Sequence, residues 1–185
     1  TAYEMLRSLV GSEMCIRDVS GSMEPYARAY LQFLQCAVGG ASAEAFVFAT
    51  RLTRLTRVLR RASPAVALQR AAGAAPDWSS GTRIGAALHT FVRSYGSRGM
   101  ARDAVVVIVS DGWEVGDPAT VASAMAALKR LAYQVVWVNP HKANPHFAPL
   151  AGGMAAALPY VDSFRSGHSI EALQEVAEAI AARRQ

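Results

Sequence analysis

Short apolar runs alternate with amphipathic stretches along this chain of 185 residues. The clearest run, residues 104–109, is a continuous valine-rich stretch of the kind that forms a parallel strand buried on both faces. Shorter runs predict further strands at residues 45–49, 52–59, 134–138 and 160–164. Apolar residues at helical spacing predict helices at residues 25–38, 64–72, 83–95, 118–131, 148–158 and 169–182. Strands that alternate with helices indicate an α/β fold, a doubly wound and mostly parallel sheet flanked by helices in three layers.

The first 17 residues do not fit this pattern. A strand that leads into Asp18 should be a short apolar run, yet the preceding residues include the charged Glu13 and Arg17. We therefore expect residues 1–17 to be a non-native or poorly ordered leader and residues 18–185 to form a single domain.

Composition narrows the class of protein. Hydrophobic residues make up 52% of the chain and charged residues 18%, which is typical of a globular domain. No apolar run reaches the roughly 18 residues that span a bilayer, and no signal peptide opens the sequence, which predicts a cytoplasmic protein. The net charge of +5 is modest, so we expect a solvated basic surface and no nucleic-acid binding. Cys15 and Cys36 are too few for a disulfide framework or a zinc site, and His141 and His146 lack the spacing of paired metal ligands.

An Asp-x-Ser-x-Ser run and two distant residues together supply five oxygen donors, namely Asp18, Ser20, Ser22, Thr82 and Asp111. Carboxylates and hydroxyls are hard ligands that suit Mg²⁺ or Mn²⁺. Asp111 follows the valine-rich run, so we expect its carboxylate at the carboxyl end of a central strand, where open α/β sheets bind ligands. Gly21 is expected to adopt backbone angles that other residues avoid, so that both serine hydroxyls face one ion. The simpler interpretation is a capped turn without a metal.

Five stretches of the sequence resemble the CoxE-like branch of the von Willebrand factor A (VWA) family, whose metal-ion-dependent adhesion site carries the same donors. These stretches are residues 18–23, 44–53, 77–85, 110–113 and 138–140. The resemblance implies that Ser20, Ser22 and Thr82 bind Mg²⁺ directly and that Asp18 and Asp111 bind it through water.

The resemblance also implies a function. CoxE-like proteins are non-enzymatic modules associated with a MoxR-type AAA+ ATPase and with the maturation of a client metalloenzyme, carbon monoxide dehydrogenase. An acidic side chain of the partner is expected to complete the coordination of the metal. Because CoxE-like proteins carry further sequence before this domain, we expect the chain to be part of a longer protein.

Two other classes of function have to be weighed. A Mg²⁺-dependent phosphatase of the haloacid dehalogenase type needs a second acid where this chain has Ser20, and serine is not an acid catalyst at neutral pH. No nucleophile elbow, phosphate-binding loop or dinucleotide-binding fingerprint occurs, so we predict that the chain is not an enzyme. The other class is a scaffold or adhesion module, against which the missing signal peptide argues. The arginine-rich residues 51–61 are interpreted as a solvated edge strand, with docking of an acidic partner as the alternative.

Overall fold

The computed structural model describes residues 13–40, 43–61 and 81–182, together with residues 66, 69, 70 and 73. Within these ranges the strands are β1 (Glu13–Asp18), β2 (Glu44–Phe48), β3 (Leu52–Arg54), β4 (Val105–Val109), β5 (Gln134–Asn139) and β6 (Ser163–Ser166). The α-helices are α1 (Ala27–Gly40), α2 (Thr56–Arg61), α3 (Ile84–Phe91), α4 (Pro118–Leu131), α5 (Gly152–Ala157) and α6 (Ile170–Ala182). Short 3-10 helices cover Gly21–Tyr26 and Leu158–Tyr160, and a π-helix, Val92–Met100, extends α3. Most of the helix predicted at residues 64–72 lies outside the described residues.

The strands form one sheet in the order β3-β2-β1-β4-β5-β6. All neighbouring pairs are parallel except β2 and β3, which pair antiparallel at one edge. The mostly parallel α/β fold predicted from the sequence is therefore confirmed. Since β1 and β4 are neighbours at the centre, residues that follow these two strands meet at one edge of the sheet.

Side chains of the central strands point alternately to two apolar cores, because successive residues of a strand face opposite sides. One core packs the sheet against α1, α2 and α6, with Tyr30, Leu34 and Leu173 among its members. The other packs it against α3, α4 and α5, with Ile84 and Met125 among its members. The helices thus cover both faces and leave the strand ends free to carry loops.

The structure differs from the sequence-based expectation at β1, which begins at Glu13 and lies between β2 and β4. All six residues of β1 are buried, the charged Glu13 and Arg17 among them. Residues 13–17 therefore belong to the sheet and not to a leader. Hydrogen bonds to a strand on each side satisfy the backbone N–H and C=O groups of β1, and they stabilise the strand in spite of its polar side chains. Residues 1–12, the remainder of the predicted leader, lie outside the described residues.

The buried Arg17 carries an energetic cost. Its guanidinium lies over the ring of Tyr30, 5.6 Å from the centroid, but its Nε has no hydrogen-bond partner among the described residues. Burial lowers the pKa of Arg17 to about 10, which reflects the cost of holding the charge away from water.

We predict that Arg17→Met raises the free energy of unfolding by about 1–2 kcal/mol, because an apolar chain of similar length removes a buried charge without opening a large cavity. Denaturant unfolding measures this difference. Arg28→Met, on the exposed side of α1, is the matched control and should change stability by less than about 0.5 kcal/mol. A destabilised Arg17→Met variant would show that the guanidinium stabilises β1.

The arginine-rich segment forms less strand than predicted. Only Leu52–Arg54 pairs with β2, and Thr56–Arg61 is helical. Leu55 and Leu59 are both buried, and their spacing of four residues matches one turn of a helix. The predicted edge strand therefore covers the first part of the segment alone.

Helix ends follow local chemistry. α4 has the predicted bounds and is capped by Asp117, whose carboxylate accepts a hydrogen bond from Ala119 N at 2.9 Å. Ser169 caps α6, since its Oγ accepts a hydrogen bond from Ala172 N at 3.2 Å. Across the described ranges, no helix has the length and apolar character that a membrane-spanning helix requires.

Candidate metal centre

The predicted donors lie at the carboxyl edge of the sheet. Asp18 is the last residue of β1, and Asp111 comes two residues after the end of β4. Thr82 reaches the same edge because the next residue, Arg83, donates its backbone N–H to Ala49 O, just beyond β2. Three separate parts of the chain thus supply donors to one place.

Asp18 lies at the centre of this arrangement and is completely buried. Its Oδ1 accepts hydrogen bonds from Ser20 N at 2.9 Å and from Thr82 Oγ1 at 3.4 Å. Its Oδ2 accepts a bond from Ser110 Oγ at 2.8 Å. The carboxylate is therefore oriented by contacts on both oxygens.

The pKa of the Asp18 carboxyl is raised to about 6, mainly by burial and to a smaller extent by the charge of Asp111. The hydrogen bonds from Ser20 and Ser110 act in the opposite direction. All the groups that the described residues place in hydrogen-bond contact with Asp18 are neutral. A divalent cation beside this carboxylate would offset the cost of burying its charge.

The two serines of the motif lie side by side. Ser20 Oγ and Ser22 Oγ are 3.2 Å apart, with Ser20 buried and Ser22 exposed. Ser20 precedes the short 3-10 helix, in which Met23 N donates to Ser20 O at 3.0 Å. The tight turn of this helix brings the two hydroxyls together. Gly21 does not have the positive φ that we expected, so the turn itself accounts for the pairing.

Thr82 is held by the loop that contains Asp111. Its carbonyl accepts a hydrogen bond from Val115 N at 3.0 Å. The preceding Gly81 has φ +82°, and a Cβ there would lie 2.3 Å from Val115 Cγ2. Glycine is required because a side chain would collide with Val115 and strain the backbone.

Asp111 is half-buried, and its Oδ1 accepts a hydrogen bond from Trp113 N at 3.0 Å. Its charge raises the pKa of Asp18, and the hydroxyl of the preceding residue bonds to the Asp18 carboxylate, so Asp111 lies beside the end of β1. The following Gly112 has φ +85° and packs against α5, where Met154 N donates to Gly112 O at 3.1 Å. Contacts on both sides therefore fix the loop that carries Asp111.

Sequence reasoning missed three residues that support the site. Ser110 binds Asp18, as described above, and also accepts a bond from Gly112 N at 3.0 Å. Asn139 Nδ2 donates to Asp111 O at 3.0 Å, and Glu114 accepts a bond from Gly85 N at 2.9 Å. Ser110 and Asn139 lie within stretches that resemble the family, and that similarity was the only signal for them.

The donor set fits a hard divalent cation. Two carboxylates and three hydroxyls supply oxygen only, which suits Mg²⁺ or Mn²⁺ better than a soft metal. Throughout the part of the chain that the structure describes, no group of three or more His, Cys, Asp or Glu side chains could hold a metal. A metal at this edge therefore depends on the hydroxyls of Ser20, Ser22 and Thr82.

Comparison with protein families gives the identity of the domain. The model of the family described as "VWA domain containing CoxE-like protein" matches residues 13–173. The chain belongs to this family. The match begins at the first residue of β1, in agreement with the place of that strand in the domain.

Solved structures with the same fold as this VWA domain share little sequence with it. Proximal thread matrix protein 1 from the mussel byssus, with a zinc-occupied MIDAS motif, aligns with a TM-score of 0.60 and 16% identity over 94% of this chain and 45% of that chain. An aerotolerance-related membrane protein from Bacteroides fragilis NCTC 9343 gives 0.59 and 16%, over 93% of this chain and 98% of that chain. The ArnB paralog VWA2 from Sulfolobus acidocaldarius gives a TM-score of 0.54 and 12% identity, covering 92% of this chain and 44% of that chain.

The VWA domain spans about half the length of the mussel protein, 45–47% in its different crystal structures. A search among curated proteins found no match.

Proposed function

We propose that this VWA domain is a non-catalytic module that binds a protein partner through a divalent metal. The observation that supports the proposal most is the convergence of Asp18, Thr82 and the Ser20–Ser22 pair at the end of β1, beside Asp111. In this proposal the residue roles follow the family resemblance. Ser20, Ser22 and Thr82 bind Mg²⁺ or Mn²⁺ directly, and Asp18 and Asp111 bind it through water.

The bound metal would supply a positive charge that accepts a carboxylate from the partner. Hydroxyl ligands are neutral, so the charge of the ion is only partly balanced by the chain itself. The chain's own residues orient this site: Ser110 positions Asp18, and Trp113 N positions Asp111. The hydrogen bonds hold the carboxylates ready for the ion without a large rearrangement.

The chemistry of the described residues at this edge supports binding without turnover. Ser20 occupies the position where a phosphatase would carry its general acid. His141, a possible base on a nearby loop, packs edge-on against the ring of Tyr26 at 5.9 Å between centroids. The alternative proposal of a Mg²⁺-dependent phosphatase is tested by turnover of a phosphate ester, which Asp18→Asn should abolish if the alternative holds.

For the partner we propose a MoxR-type AAA+ ATPase and a client metalloenzyme, as the family resemblance implies. An acidic side chain of the partner would contact the metal. A scaffold or adhesion role uses the same metal contact and differs in the partner. Co-purification of the domain with candidate ATPases in the presence of Mg²⁺ distinguishes the two roles.

We predict that calorimetric titration with Mg²⁺ or Mn²⁺ shows one divalent site, and that Ser20→Ala/Ser22→Ala removes it, because both direct hydroxyl ligands of the motif are lost. Thr90→Ala/Ser97→Ala is the matched control, since these hydroxyls bond only to helix carbonyls. Equal metal affinity in the wild type and the Ser20/Ser22 variant would refute the proposed ligands.

A further inference from the structure

Exposed apolar side chains border the candidate metal centre. The large apolar side chains that are exposed within the described ranges are Val66, Trp113, Val115, Tyr133 and Leu150. Trp113 is 68% exposed and Val115 55%, and both lie on the loop after Asp111. Leu150, 83% exposed, lies just before α5. We call Trp113, Val115 and Leu150 the apolar rim.

The rim lies at one edge of the sheet and not at the other. Tyr133, 57% exposed, is located at the opposite edge, where Tyr133 N donates to Ala104 O before β4 begins. Isolated exposed side chains such as Tyr133 are normal on a protein surface. Trp113, Val115 and Leu150 instead share one edge of the sheet with the candidate metal centre, and exposed apolar side chains grouped around polar residues mark interaction surfaces.

Backbone contacts hold the segments that carry the rim. Val115 lies against Gly81, next to Thr82, and its N–H bonds to Thr82 O at 3.0 Å. Trp113 N bonds to Asp111 Oδ1, so the aromatic residue is directly coupled to a proposed ligand. A Cβ at Gly153 would lie 2.7 Å from Gly112 O, which shows how closely the start of α5 packs on the loop. The segment that carries Leu150 therefore lies beside the segment that carries Trp113.

An exposed tryptophan is well suited to binding. Tryptophan is enriched among the residues that dominate binding energy, and its side chain has only two rotatable bonds to order when a partner covers it. A carboxylate on the metal would bring the neighbouring residues of the partner onto the rim. The metal would thus bind the carboxylate of the partner segment, and the apolar rim would bind the apolar residue next to that carboxylate.

We propose that the apolar rim binds a large apolar side chain next to the acidic residue of a partner protein, so that the domain recognises an acidic-apolar pair. The inference rests on the proposed function, since the metal holds the carboxylate. The metal determines whether binding occurs, and Trp113 determines which acidic segments bind tightly.

The test uses fluorescein-labelled peptides of glycine and serine with one central aspartate. One flanking residue is leucine, phenylalanine or serine, and a matched set carries asparagine in place of aspartate. Fluorescence anisotropy in Mg²⁺ is measured with the wild-type chain, Trp113→Ser and the control Tyr133→Ser. Calorimetry of the same proteins with Mg²⁺ alone measures metal affinity separately.

We expect leucine- and phenylalanine-flanked aspartate peptides to bind the wild type and Tyr133→Ser about tenfold more tightly than the serine-flanked peptide. Trp113→Ser should lose most of this preference. It should keep its affinity for Mg²⁺ and for the serine-flanked peptide, because the bond to Asp111 comes from the backbone N–H, which serine retains.

Equal binding of all aspartate peptides to the wild type, with Mg²⁺ required, overturns the inference and leaves the proposed function in place. Binding that is the same for aspartate and asparagine peptides, or absent for all peptides, overturns both. Light scattering adds one more outcome: a dimer that Trp113→Ser converts to a monomer would show that a second copy covers the rim, which also overturns the inference.

Discussion

Asp111→Ala is expected to abolish Mg²⁺-dependent binding of the proposed partner, a MoxR-type ATPase, while the domain stays folded. Asp111 is half-buried at the end of a strand, and its side chain accepts one hydrogen bond, from Trp113 N. Removing it takes a negative charge from the metal site without opening a cavity in either core. We expect a loss of affinity of more than about a hundredfold, comparable to truncating one member of a buried charge pair.

The measurement is biolayer interferometry with the ATPase in Mg²⁺, repeated with chelator. Chelator should weaken binding of the wild type to the level of the variant. Glu175→Ala removes an exposed carboxylate from α6 and serves as the control for the change in net charge. Binding that survives both chelator and Asp111→Ala would place the interface elsewhere, for example on the arginine-rich residues 51–61.

Gly112→Ala is expected to destabilise the domain by about 2–4 kcal/mol and to weaken divalent-metal binding. Gly112 has φ +85°, and a Cβ there would lie 2.5 Å from Met154 Cβ and 3.0 Å from Met154 Cα. Because Met154 belongs to α5, the collision would push the loop away from the helix. Asp111 is the adjacent residue, so its carboxylate would move as well.

Gly99→Ala separates the effect of backbone strain from the effect of the collision with Met154. Gly99 has φ +99°, but nothing lies within 4 Å of a Cβ built there. That variant therefore has backbone strain without a collision and should cost about 1 kcal/mol. Denaturant unfolding of both variants measures the difference. Equal losses of stability in the two variants would show that the collision with Met154 adds nothing to the cost of replacing Gly112.

Strands and helices with a clear apolar period were predictable from the sequence. The valine-rich strand β4 and the capped helix α4 were found nearly at their observed bounds, because burial and capping are visible in the residues themselves. β1 was missed because Glu13 and Arg17 interrupt its apolar pattern. Its place depends on pairing with β2 and β4, and a local pattern contains no information about such distant partners.

The candidate metal centre was also only partly predictable from the sequence. The motif and the family resemblance named the donors, and the structure brings Asp18, Ser20, Ser22 and Thr82 into contact at one strand end. Ser110 could not be recognised from the sequence as a partner of Asp18, because the two are 92 residues apart and meet only when β1 and β4 pair. The identity of the metal and the roles of the five donors stay predictions.

The parallel course of the strands also determines how the domain can be attached to a sensor or a bead. β1 starts at the edge opposite the metal centre, and α6 leaves the metal edge after β6. Thirteen helical residues extend about 20 Å, roughly the length of a strand, so α6 ends near the opposite edge. An affinity tag joined before residue 13 or after residue 182 would therefore orient the metal edge towards solution, and immobilisation through either position should leave partner binding unobstructed.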